Sequence, residues 1–118
     1  MSDTTTRLQL PFIMAAQAQK HVTHNDALRL LDGLVHLSVL DRDLSTPPAS
    51  PDDGAAYIVP VGASGEWAGW DSDVAYRADG AWFRLVARPG FLVWVQDEDA
   101  LYVLASSGWA KLAEVSDP

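Results

Sequence analysis

A chain of 118 residues, 48% hydrophobic and 20% charged, suits one globular domain, and no apolar run reaches the ~20 residues of a membrane helix. Sixteen acidic against eight basic residues give a net charge of −8, which argues against non-specific binding to a nucleic-acid duplex. With no cysteine there is no disulfide framework, thiolate zinc site or cysteine nucleophile.

The start, MSDTTTRLQLPF, lacks the basic and apolar stretches of a signal peptide, so the expected setting is a bacterial-type cytoplasm or an assembly built there. Residues 1–12 read as an extended arm, because Thr4, Thr5 and Thr6 are β-prone and Pro11 discourages helix at Leu10. With the apolar Phe12, Ile13 and Met14, the arm has little partner surface of its own. Residues 1–14 are therefore expected to cross to a neighbouring subunit or a particle shell.

AAQAQK, residues 15–20, has high helix propensity. Thr23, His24, Asn25 and Asp26 then interrupt, with Thr23 or Asn25 as a cap and Asp26 favoured in the first turn. Ala27, Leu28, Leu31, Leu34 and Val35 follow at spacings of three and four, the stripe of an amphipathic helix over 25–36. Gly33 costs about 1 kcal/mol against Ala there. The chain divides into an arm and helix (1–44), a Pro-rich hinge (45–54) and an antiparallel β domain (55–118). In that last region AAYIVPV, DVAYRA, AWFRLVA, FLVWVQ, ALYVLA and GWAKL read as strands separated by turn residues. Their spacing predicts a meander or small barrel, giving an α+β chain overall. In FLVWVQ, Phe91, Val93 and Val95 share one face, and Leu92, Trp94 and Gln96 the other.

His21 and His24 stand three apart, but no firm third ligand completes a metal set, and the expected cap would break their common face. A turn with its polar side chains bonded to backbone is the favoured reading. No nucleophile elbow, phosphate-cradling loop or paired-carboxylate cleft stands out. The expectation is no enzyme, no cofactor and no metal.

Five tryptophans are many for so short a chain. Trp67 and Trp70, three apart in WAGW, are candidates for a partly exposed glycan or protein platform with Asp71 or Asp73 beside them. Trp82 and Trp94 read as core residues. Trp67, Trp82 and Trp109 each follow a turn glycine closely, which reads as a repeated packing device rather than a repeat fold.

At LPFIMAAQAQKHVTHNDALRLLDGLV the sequence resembles a family of phage-derived domains of unknown function from alphaproteobacterial prophages and gene transfer agents. The later pattern of PP and SP, DG, YIV, G-x-W-AG, DG-x-W and RPG is similar too, so the resemblance spans about residues 8–112. It implies a structural protein of a phage-like particle: a homo-oligomeric base or adaptor, a ring of five or a trimer, for a head spike or tail fibre. Capsid or tail proteins and a spike or fibre protein are the implied partners, with no nucleic acid and no membrane insertion. Gln17, Gln19, Lys20, His21, His24 and Asn25, with Phe12, Ile13 and Met14, would make subunit or particle contacts. No receptor-binding extension follows Pro118, which weighs against host-glycan recognition by this chain. The alternative is a carbohydrate-binding module holding surface polysaccharide on its Trp-rich β face, and a remoter one a small hydrolase.

Overall fold

The computed structural model describes residues 3–13 and 20–116. Among these residues lie one helix, α1 (Lys20–Leu34), and seven strands: β1 (Ser38–Val39), β2 (Ala56–Ile58), β3 (Val74–Ala78), β4 (Ala81–Leu85), β5 (Leu92–Val95), β6 (Ala100–Ala105) and β7 (Gly108–Glu114). It is a small β-rich fold with one short helix.

The strands form two sheets, one ordered β1-β5-β6-β7 and the other β2-β3-β4. All pairings are antiparallel except β1 on β5. The six strands expected from composition are all present. What sequence reasoning missed is β1, two residues long and lodged just after the helix. The extended segment around it ties the sheets together. Trp94 and Gln96 donate to the carbonyls of Leu37 and Val39 on one side, while Leu40 donates to Ala56 O and Ile58 to Asp41 O on the other. A strand pairing on both edges needs no length of its own to be held.

Between the sheets sits the larger core, which includes Leu37, Val39, Ile58, Val74, Tyr76, Val93, Val95 and Tyr102. In β5 the expected alternation holds, with Val93 and Val95 inward and Leu92 largely exposed. A second, smaller core covers the other face of β2-β3-β4: Tyr57, Val59, Ala63, Trp67 and Ala75, flanked by Leu44 and Trp82. Residues 45–54 carry neither helix nor strand. They are packed nonetheless, since Ser64 donates to Ser45 O and Pro47 lies against Gly65.

The helix departs from expectation twice. It begins at Lys20 rather than at a cap on Thr23 or Asn25, so the polar run continues the helix instead of starting it. The Asn25 amide is not spent on capping because it bonds elsewhere, to Ile13. Part of the apolar stripe also faces away from the core, although Leu28 and Val35 are half-buried. Ala27, Leu31 and Leu34 are exposed, while Asn25, Asp32 and Gly33 are buried. Close approach explains the rotation: a Cβ on Gly33 would stand 2.8 Å from the Tyr76 ring, so only glycine lets that ring lie against the helix. Gly33, costly in isolation, is therefore a packing residue.

Candidate functional site

The arm does not extend away from the molecule as expected. Residues 3–13 fold back into a tight loop, with Thr5 N–H donating to Leu10 O and Phe12 N–H to Asp3 O, both at 2.9 Å. This loop docks on its own helix. Asn25 Oδ1 accepts from Ile13 N and its Nδ2 donates to Ile13 O, both at 2.9 Å, a side chain imitating one rung of a β-ladder. Arg29 lies over the Phe12 ring at 4.4 Å and pairs with Asp79 at 2.6 Å, joining arm, helix and the β3–β4 turn.

The strongest anchor is Asp32, a fully buried carboxylate that sequence reasoning missed. Oδ1 accepts from Thr5 Oγ1 (2.8 Å) and Leu8 N (2.6 Å); Oδ2 accepts from Arg7 N (2.9 Å) and Tyr76 OH (2.5 Å). The Arg7 guanidinium meanwhile donates to the carbonyls of Asp32, Val35 and His36, capping the negative end of the helix. Burial pushes the Asp32 carboxyl up, but the bonds from Tyr76, the Arg7 and Leu8 amides and Thr5 outweigh it. The net pKa lies below the ordinary value. Burial and the Asp32 bond push the Tyr76 hydroxyl well above its own ordinary value. Each Asp32 oxygen is fully engaged, so the group positions the arm rather than carrying protons for chemistry.

The expected contact residues are thereby separated. Asn25 pairs with Ile13 and Arg29 lies over Phe12 within the chain, and Asp32 and Asn25 together supply partners to the backbone of residues 3–13. Lys20 and His21 open the helix, and His24 is exposed. Met14, Gln17 and Gln19 lie outside the described residues. Among the described residues no group of three His, Cys, Asp or Glu could hold a metal ion.

Trp67, Trp70, Asp71 and Asp73 do not form an open platform. Trp67 ends a 3-10 turn (Gly65–Trp67) and has no exposed surface. Its ring meets Tyr57 at 5.5 Å and packs T-shaped with Trp82 at 5.2 Å. Removing an indole of ~150–250 Å² from water is worth about 4–6 kcal/mol, which decides against leaving it outside. Trp70 is half-buried at the rim of the same core. Asp73 is buried and bonded to Arg84 Nε (2.7 Å) and Ala87 N (3.0 Å); only Asp71 is exposed, accepting from Gly62 N.

Trp94, read from sequence as core, lies instead on the outward face of β1-β5-β6-β7. The register pairs Leu92 with Val103, Trp94 with Leu101, Val103 with Ala110 and Leu101 with Ala113. These six side chains share one face with no charge among them. Leu92 is 52% exposed, and Trp94, Leu101 and Val103 are half-buried. A groove of about 260 Å³, lined by His36, Leu37, Leu92, Val93, Trp94 and Leu101, opens on this face. The alternation in FLVWVQ already placed Leu92 and Trp94 on one face, with Gln96 beside them.

A profile of the family described as "Protein of unknown function (DUF2793)" matches residues 24–110, about three quarters of the chain. No curated protein matches the sequence.

Proposed function

We propose an assembly role for this chain, which belongs to the DUF2793 family of proteins of unknown function: a structural, non-enzymatic protein of a phage-like particle or gene transfer agent. It acts as a homo-oligomeric base or adaptor that attaches a head spike or tail fibre to capsid or tail proteins. The observation that carries this reading is the outward sheet face. A molecule with 16 acidic residues keeps a broad strip of Leu, Trp, Val and Ala free of charge, and such a strip suits protein contact. The likeness of LPFIMAAQAQKHVTHN to particle proteins supplies the setting. The carbohydrate reading relied on an exposed Trp67 and Trp70 pair, and burial of Trp67 takes that platform away.

The test is co-expression with the neighbouring particle genes, followed by purification of particles and a blot for this chain. Leu101→Lys, which puts a charge in the middle of the strip, is expected to remove the chain or its spike or fibre from particles while its fold persists. Full incorporation of the variant, together with polysaccharide binding by the unaltered chain, overturns the reading.

A further inference from the structure

We infer that the outer edge of β4 receives an extended, acidic segment of a partner protein as an added strand. The open edge follows from the backbone bonds of β3. Arg77 N–H donates to Ala55 O, its carbonyl accepts from Gly54 N, and Asp73 O accepts from Val59 N. Alternate residues of β3 therefore turn their backbone groups toward β2 and away from β4. Trp82 and Arg84 stand opposite two of these, Arg77 and Ala75. Their own N–H and C=O groups point outward, and no described residue bonds them. Two donors and two acceptors are left at the spacing a further strand fits.

The other outer edges are closed. Ala56 O and Ile58 N of β2 are bonded by Leu40 and Asp41. In β6-β7 the register passes from Leu101↔Ala113 to Tyr102↔Lys111, and this bulge, with Lys111 and Glu114 beside it, blunts β7. By contrast β4 pairs with β3 without interruption and holds no proline. Charge selects the occupant. The Arg77 guanidinium crosses from β3 to lie over the Trp82 ring, 5.2 Å from its centroid. Among the described residues it has no hydrogen bond or ion pair, and its Nε is buried without a partner. It is an unpaired, partly desolvated cation in a chain with 16 acidic residues. The exposed Arg84, whose Nε is held by Asp73, adds a second guanidinium on the same face of β4. A strand ~4.8 Å from β4 sets the side chain opposite Trp82 within reach of Arg77. A carboxylate there gives the guanidinium fork its bidentate partner, and a basic side chain meets two like charges. The β4 of a second copy brings Arg84 instead of an acid and leaves Arg77 unpaired. This site lies on the other sheet from the assembly face, so either reading can fail alone.

The experiment titrates the full chain with synthetic peptides of about seven residues, in which Thr alternates with Glu, Gln or Lys, and follows backbone amides by NMR. In the free chain the Phe83 amide, bonded to β3, should exchange slowly and the Trp82 and Arg84 amides fast. The Thr-Glu peptide should slow exchange at Trp82 and Arg84, bind at least about tenfold tighter than the Thr-Gln peptide, and weaken with salt. Arg77→Gln should remove that tenfold preference. A Thr-Glu peptide methylated on the amides that face β4 should not bind. The comparison among peptides keeps the inference falsifiable if Arg77→Gln misfolds. Unchanged exchange at Trp82 and Arg84 with the Thr-Glu peptide overturns the inference, and so does equal binding of all three peptides.

Discussion

Replacing Asp32 by Asn keeps the shape of the side chain and removes its charge, and the geometry dictates where the damage falls. Each carboxylate oxygen accepts from one hydroxyl and one backbone amide: Thr5 and Leu8 on Oδ1, Tyr76 and Arg7 on Oδ2. A hydroxyl can turn and accept, but an amide N–H cannot. Whichever way the Asn amide is oriented, its NH₂ faces either Leu8 N–H or Arg7 N–H, donor against donor. One charge-assisted bond is lost outright and the others weaken, at ~1.5–3 kcal/mol for each bond to a charged group. The expected cost is about 3–5 kcal/mol, a large share of the ~6–18 kcal/mol available to a chain of this length. Urea titration followed by tryptophan fluorescence reads the global loss, and amide exchange reads the arm. Residues 3–13 should lose protection first. A cost under ~1 kcal/mol, or an arm that keeps its protection while the rest weakens, would refute the reasoning. The pH dependence follows the same geometry. The Asp32 pKa is lowered in the fold, so its contribution is present above the ordinary 3.8 and is lost as pH falls through the folded value. The Tyr76 pKa is raised, so its contribution is complete below the ordinary 10.0 and is lost as pH climbs through the folded value. Asp32→Asn should flatten the acid limb of stability and Tyr76→Phe the alkaline limb.

Gly33→Ala improves helix propensity by about 1 kcal/mol but drives a methyl to 2.8 Å from the Tyr76 ring, where overpacking costs ~1–3 kcal/mol; a net loss is expected in thermal unfolding. Trp67→Ala should cost ~3–5 kcal/mol through the cavity it leaves, read in the same urea titration, and a variant as stable as the parent would contradict its burial. Asn25→Ala removes both bonds to Ile13, and hydrogen exchange should show the Ile13 amide opening while the sheets keep their protection.

The β strands were legible because short runs of β-branched and aromatic residues between turn residues carry their own signal, and a half-buried strand repeats it every second residue. The helix was legible in kind but not in orientation. Periodicity marked Ala27, Leu28, Leu31, Leu34 and Val35 as the face to bury, whereas the ring of Tyr76 against Gly33 and the anchoring of the arm on Asn25 and Asp32 turned the side carrying Gly33, Asn25 and Asp32 inward and left Leu28 and Val35 half-buried. Those contacts join residues up to 44 apart, and no local window contains them. For the same reason Asp32 gave no sign of itself, reading as one more acid in an acidic chain. Trp67 and Trp94 exchanged their expected places. In each case the deciding fact is whether another segment covers that side of a sheet: the 3-10 turn plugs one side, and no described segment covers Trp94.

The central claim, assembly through the outward sheet face, is tested most directly by hydroxyl-radical footprinting of the assembled particle against the isolated chain. Trp94 and Leu101 should be labelled in the free chain and protected on assembly, with Trp70 labelled equally in both states. Equal labelling of Trp94 in both states, with protection appearing at Trp70 and the Asp71 turn instead, would contradict the account.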